Sequence, residues 1–271
     1  MLENLRDQIN TLRSQHIIRR SVYQNSLSDI PDNLFGFWQT MASREFPGIP
    51  RDAVFFTRAA EGLMMFFDCV KHSEHACALP SKAADSIWHA WSALSQAGLG
   101  MFCRKHFGRD IPHIEAGEMG ESIDKALAGT LVQARRLEGL ALASTSVPAL
   151  FALDRKLKMP TGYAYQAAAG KFGYRNLNSD GVGGGGMIFP ASLDVMELMT
   201  AGFISAAMYE AYRRQAEAAA RANAASSSYD NGNTFDFGNS CDSGGSADSG
   251  SSCGSSSGGS SCGSSCGGGS S

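Results

Sequence analysis

Histidine and cysteine are spread unevenly along this 271-residue chain. Ahead of residue 225 there are nine of them, and eight lie between Cys69 and His113: Cys69, His72, His75, Cys77, His89, Cys103, His106 and His113. An even scatter would leave about two in that stretch. Imidazole and thiolate together are the ligands a zinc ion selects. Cys69 with His72, and Cys103 with His106, stand three residues apart and can each share a helix face. The expected ligand set is His89, Cys103, His106 and His113. Asp85, one turn before His89, is placed to hold a ring nitrogen and fix its tautomer. Such a set would make a zinc-binding domain or a metal-dependent hydrolase centred on His89. No Cys-x-x-Cys or His-Glu-x-x-His pattern accompanies it, and buried free cysteines also pack as small hydrophobes. A polar cluster that orients the Trp88/Trp91 helix therefore explains the same residues. A nucleophilic Cys103 with His106 or His89 lacks obvious oxyanion donors.

Other patterns carry less. Gly181-Val-Gly-Gly-Gly-Gly186 satisfies G-x-G-x-x-G in form. A dinucleotide site needs a strand before those glycines and a helix N-terminus after them, and the flanking residues supply neither. There is no Gly-Lys-Ser/Thr, and Ser144-Thr-Ser146 suggests no triad.

These residues need elements to hold them. Leu2, Leu5, Ile9 and Leu12 predict an amphipathic helix over 2–20, packed on the body or forming a short coiled-coil contact. Asp32 is the expected N-cap of a helix ending near Pro47-Gly48, and Pro50 is expected in the first turn of the next. That next helix is apolar around most of its circumference, from Val54 and Phe55 to Phe67 and Val70, and so belongs in the middle of the core. Ser81 caps the helix bearing Ile87, Trp88 and Trp91, with a soft joint at Gln96-Ala-Gly-Leu-Gly100 and an end at Gly108. Further helices are expected over Glu118–Leu140, from Ser146 to Leu157, and over Tyr163–Gly173. The last runs from Ser192 as cap to Ala224. No strand is predicted.

Charge and composition narrow the function classes. The net charge of -3 includes Asp230, Asp236, Asp242 and Asp248, so the body ahead of them is near neutral. It shows no concentrated basic face for nucleic acid. The longest apolar runs, Leu137–Leu153 and Met187–Met208, are interrupted, and fall short of the roughly 20 residues of a membrane span. Met1-Leu-Glu-Asn-Leu-Arg-Asp is no export signal, so a cytoplasmic protein is expected. From Ala225 the chain is Ser, Gly, Asp and Cys without Lys or Arg, which predicts a disordered tail over 225–271. Its Cys241, Cys253, Cys262 and Cys266 could bind soft metals, carry lipid or cross-link, though a simple tether accounts for the segment.

Residues 78–115 resemble the signature region of the glycine-rich domain-containing protein-like family of plants and bacteria. The matching residues are Asp85, Trp88-His89, Phe102-Cys103, Phe107-Gly108 and His113, with a looser match over Pro148–Gly162. Trp91 stands where the family's Trp-His-x-His pattern has its second His, so the resemblance carries no ligand over to that position. Plant members of that family are linked to growth and stress responses, and the resemblance implies no reaction. The expectation is an all-α, multi-helix domain over residues 1–224 followed by the low-complexity tail. Its expected role is that of a non-enzymatic interaction or adaptor module for a protein partner, and the zinc-dependent domain is the alternative.

Overall fold

The computed structural model of the chain describes residues 2–113, 122–142, 144–168 and 171–227. The architecture is mostly helical. In order come α1 (Leu2–Arg20), α2 (Gln24–Ser28), α3 (Asp32–Glu45), α4 (Ala53–His72), α5 (Lys82–Phe107), α6 (Ser122–Leu137) and α7 (Leu153–Leu157). A hairpin of β1 (Tyr163–Ala168) and β2 (Lys171–Asn176), a 3-10 turn (Ala191–Leu193), α8 (Val195–Thr200) and α9 (Ala206–Ser227) follow. Helix α9 runs three residues past the expected boundary at 224, and the rest of the expected tail lies outside the described residues. Among the described residues no helix is long and apolar enough to cross a membrane.

Helix α4 is the hub. It packs against α1, α2, α5, α6 and α7, and Leu63, Met64 and Phe67 on it are fully buried. Burial of each such side chain contributes roughly 1.5–3 kcal/mol. Its N-cap is Asp52, which accepts from the N–H groups of Val54 and Phe55, so Pro50 lies outside the first turn rather than in it. Gly62 lets α7 approach closely: a Cβ there would meet Leu153 Cδ2 at 2.2 Å.

Helix α5 is seated on α4 and tied to α3. Trp38, wholly buried, donates its indole N–H to Ser86 Oγ at 3.0 Å. Ser81 caps α5 by accepting from Ala84 N–H, and Gly108 ends it with φ 75°, a conformation glycine adopts without Cβ strain. A second anchor comes from far along the chain. The buried Asp154 accepts from Ser81 Oγ (2.6 Å) and from the N–H groups of Lys82, Ala83 and Tyr163 (3.0 Å each). A carboxylate there complements the exposed N–H groups and the positive end of the α5 dipole. The soft joint exists as a kink at Ser95 (φ -165°, ψ 95°), where Ser95 Oγ accepts from Gly98 N–H and so starts the second half.

Several local expectations give way. Tyr163–Gly173 is not a helix but most of a hairpin, with Tyr165 opposite Tyr174 and Ala167 opposite Phe172. Phe151 packs edge-on against both Tyr165 and Phe172, at centroid distances of 4.9 and 5.7 Å. That aromatic packing outweighs the helix preference of the intervening alanines. The helix expected from Ser146 starts only at Leu153, the residues before it forming turns. The helix expected from Ser192 to Ala224 is broken by Gly202 at φ 80°, and Asp194 rather than Ser192 caps α8. Asp32 occupies the first turn of α3, with Pro31 at the cap position. Helix α1 is covered only in part: Ile18 packs on the core, while Leu5 (54%), Ile9 (41%) and Leu12 (66%) stay exposed.

Candidate metal centre

The first half of α5 places Asp85 and His89 one turn apart on one face. After Gly108 the chain doubles back, Arg104 pairing with Asp110 at 2.8 Å, so that Ile111-Pro-His113 returns along α5. His113 then lies edge-on to Trp88 at 4.5 Å between centroids and to the His89 ring at 4.7 Å. Asp85 stands between the imidazoles, its Oδ1 3.3 Å from His113 Nε2 and its Oδ2 3.5 Å from His89 Nε2. The other ring nitrogen of His89, Nδ1, is held by Glu45 Oε1 at the end of α3. One ligand atom from each of Asp85, His89 and His113 can be chosen so that all lie within 4.8 Å of one another.

This arrangement can do two things. Asp85 can accept from both rings as a purely polar network. Alternatively, the three groups can close on a divalent ion, because tetrahedral bonds of about 2.1 Å set ligand atoms roughly 3.4 Å apart. Glu45 would then act as the carboxylate that orients a metal-bound imidazole.

The four sequence-predicted residues divide into two pairs. His89 and His113 come together. Cys103 and His106, on the second half of α5, do not join them. His106 Nε2 bonds Asp29 Oδ2 at 2.8 Å, beside Lys105 Nζ at 2.6 Å. Cys103 is wholly buried in the core, and burial pushes its thiol up to about 12, so it is no thiolate at neutral pH. The kink at Ser95 lies between His89 and Cys103, so they sit on different halves of α5 that run in different directions. Trp91, at the position of the family's second His, is buried against Phe102 at 4.5 Å and leaves no room for a ligand there. Asp85 was expected to support one ring and instead touches two. Glu45 carries no sequence signal, being 44 residues from its partner.

The site opens on a cavity of about 400 Å³. Asp85, Trp88 and His113 form one side of it, and His75, Cys77 and Arg109 are among the residues on the other walls. The wall at residues 73–79 is pinned to α6, where Thr130 Oγ1 accepts from Ala78 N–H (3.0 Å) and donates to Ala78 C=O (2.8 Å). Gly129 permits that approach, since a Cβ would lie 2.6 Å from the Ala76 carbonyl oxygen. Trp88 also has a buried indole N–H with no acceptor among the described residues. Burial raises the Cys77 thiol above its ordinary value, so it too stays protonated at neutral pH.

The family described as UCP032817-like, an uncharacterised one, matches residues 51–183. That span takes in α4, α5, the hairpin and every member of the centre except Glu45. No curated protein and no solved structure was found to match the chain.

Proposed function

We propose that Asp85, His89 and His113 bind one divalent transition-metal ion, zinc foremost, and that the 400 Å³ cavity admits a small polar substrate to it. The convergence of three ligand-type side chains, two of which (Asp85 and His113) line the cavity, supports this reading. Three protein ligands leave a fourth position for water, the arrangement of catalytic rather than structural zinc sites. A bound ion would supply a nucleophilic water at neutral pH, and the chemistry that follows is hydrolysis. On the protein's side, Glu45 orients His89. With imidazoles and a carboxylate in place of the expected thiolate, the donor set is harder than the one Cys103 would have made.

The test is elemental analysis of the full-length protein purified without an affinity tag. About one metal ion per chain is expected, lost in His89→Ala and His113→Ala and kept in Cys103→Ala. Metal-free protein that takes up no zinc on titration would leave Asp85 as an acceptor between two rings and nothing more.

A second reading, an interaction module for a protein partner, rests on the exposed seam of Leu5, Ile9 and Leu12 on α1. Such a stripe suits pairing with another amphipathic helix. Leu12→Glu should then release a partner or a second copy in sedimentation velocity; identical profiles for variant and wild type count against it. A relation to the glycine-rich domain-containing protein-like family is proposed on Asp85, Trp88-His89, Phe102-Cys103 and His113. All of these lie within the matched residues 51–183.

A further inference from the structure

A second cavity, of about 470 Å³, shares no lining residue with the first. It lies between the end of α6, the hairpin, α8 and α9. Leu131, Phe172, Leu198 and Ala216 give it apolar walls, and its charged lining residues are two cations, Arg135 and Lys171, with no carboxylate among them. Lys171 is exposed, whereas Arg135 is only 5% exposed.

Arg135 is the unusual group. A buried guanidinium costs several kcal/mol of desolvation unless an anion or a full set of acceptors meets it. Here Nη1 donates to the Leu142 carbonyl, Nη2 reaches the Ser144 carbonyl at 3.4 Å, and the guanidinium lies over the Phe172 ring at 5.2 Å. These partners are neutral. Nε has no acceptor, and no carboxylate forms an ion pair with Arg135 among the described residues. Nε and Nη2 form the edge of the fork that takes a carboxylate through two parallel bonds, and it is the edge left least satisfied.

We propose that this cavity binds a small amphipathic monocarboxylate, its carboxylate paired with Arg135 and its aliphatic chain laid against the apolar wall. The volume falls within the range of small-molecule sites, and few polar groups among many apolar ones is their usual composition. Lys171 at the rim adds attraction for an anion of this kind. A neutral or cationic ligand of the same shape would leave the guanidinium as it stands.

The probe is octanoate, titrated calorimetrically into the full-length protein, with octan-1-ol as its uncharged counterpart. One octanoate per chain is expected, bound at least tenfold more weakly by Arg135→Gln, while octan-1-ol distinguishes the two proteins little. Arg135 also holds two loop carbonyls, so Arg135→Gln could fail to fold. Ala216→Phe serves as the second variant, because Ala216 is an exposed position on α9 and the larger ring fills the cavity with Arg135 intact. It should weaken octanoate at least tenfold as well. The proposal is overturned if wild type binds no octanoate, if octan-1-ol binds it as well as octanoate does, or if Ala216→Phe binds octanoate unchanged. The metal content of these variants should stay that of wild type, which separates the fate of this cavity from that of the Asp85 centre.

Discussion

At the scale of single residues, the environment rather than the residue type decides what each titratable group does. Cys103 and His106 are three apart on one helix, yet one is sealed in the core and the other pairs with an exposed aspartate. With its thiol near 12, Cys103 should resist iodoacetamide at pH 8 in the native protein and react only in denaturant. Native labelling at the rate of a free thiol would show the burial to be wrong. Asp29 makes a prediction of opposite sign in pH. Hydrogen bonds from Lys105 and then His106 hold its carboxyl below the ordinary 3.8. Its folded value thus lies under its unfolded one, and its stabilising contribution is present above 3.8 and lost as pH falls through the lowered value. Melting temperatures of wild type and Asp29→Asn should differ at neutral pH and converge in acid; a constant gap would refute the pairing. Much of this scale was visible beforehand. The His/Cys cluster lies in the stretch where Asp85, His89 and His113 converge, and the one-turn spacing of Asp85 and His89 puts them on a shared face of α5. What spacing cannot give is which distant residue arrives opposite, and Glu45 does so only because α3 packs beside α5.

At the scale of elements, capping chemistry and aromatic packing account for both the successes and the failures of sequence reading. Asp52, Ser81 and Gly108 terminate helices because short polar side chains and a left-handed glycine satisfy groups a helix leaves open. The hairpin escaped because alanines at 164, 167 and 168 favour helix, although Tyr163, Tyr165, Phe172 and Tyr174 already alternate with the period of a strand. Asp154 was beyond reach too, since a short helix on its own gives no hint that a carboxylate caps another. Asp154→Asn tests that link. Two N–H groups, of Lys82 and Tyr163, would then face an amide NH₂ in place of Oδ2. Urea denaturation should show a loss of about 2–4 kcal/mol, against a negligible change if the contacts are incidental.

At the scale of the whole molecule, the placing of α4 was legible from its nearly continuous apolar circumference. A helix with so narrow a polar face has to be covered on most sides, and five others pack against it. Leu63, at its centre with no exposure, gives the matching prediction. Leu63→Ala should cost about 2–5 kcal/mol while the urea transition stays single with an unchanged slope. Two separable transitions would mean that α4 does not unite its neighbours. Among the described residues the architecture is mostly helical, as expected, and the hairpin departs from it, its two strands closing over Phe151 at the margin of the helical core.

The bond between Ser81 and Asp154 also sets an order of events. The three prospective metal ligands are all translated by residue 113, but the helix that carries two of them has its leading end completed by a carboxylate made some forty residues later. A nascent chain stalled before that point lacks the carboxylate that completes the end of the helix bearing Asp85 and His89. The interval closes once Asp154 emerges, so the leading end of α5 is completed after the segment that carries the three residues has been made.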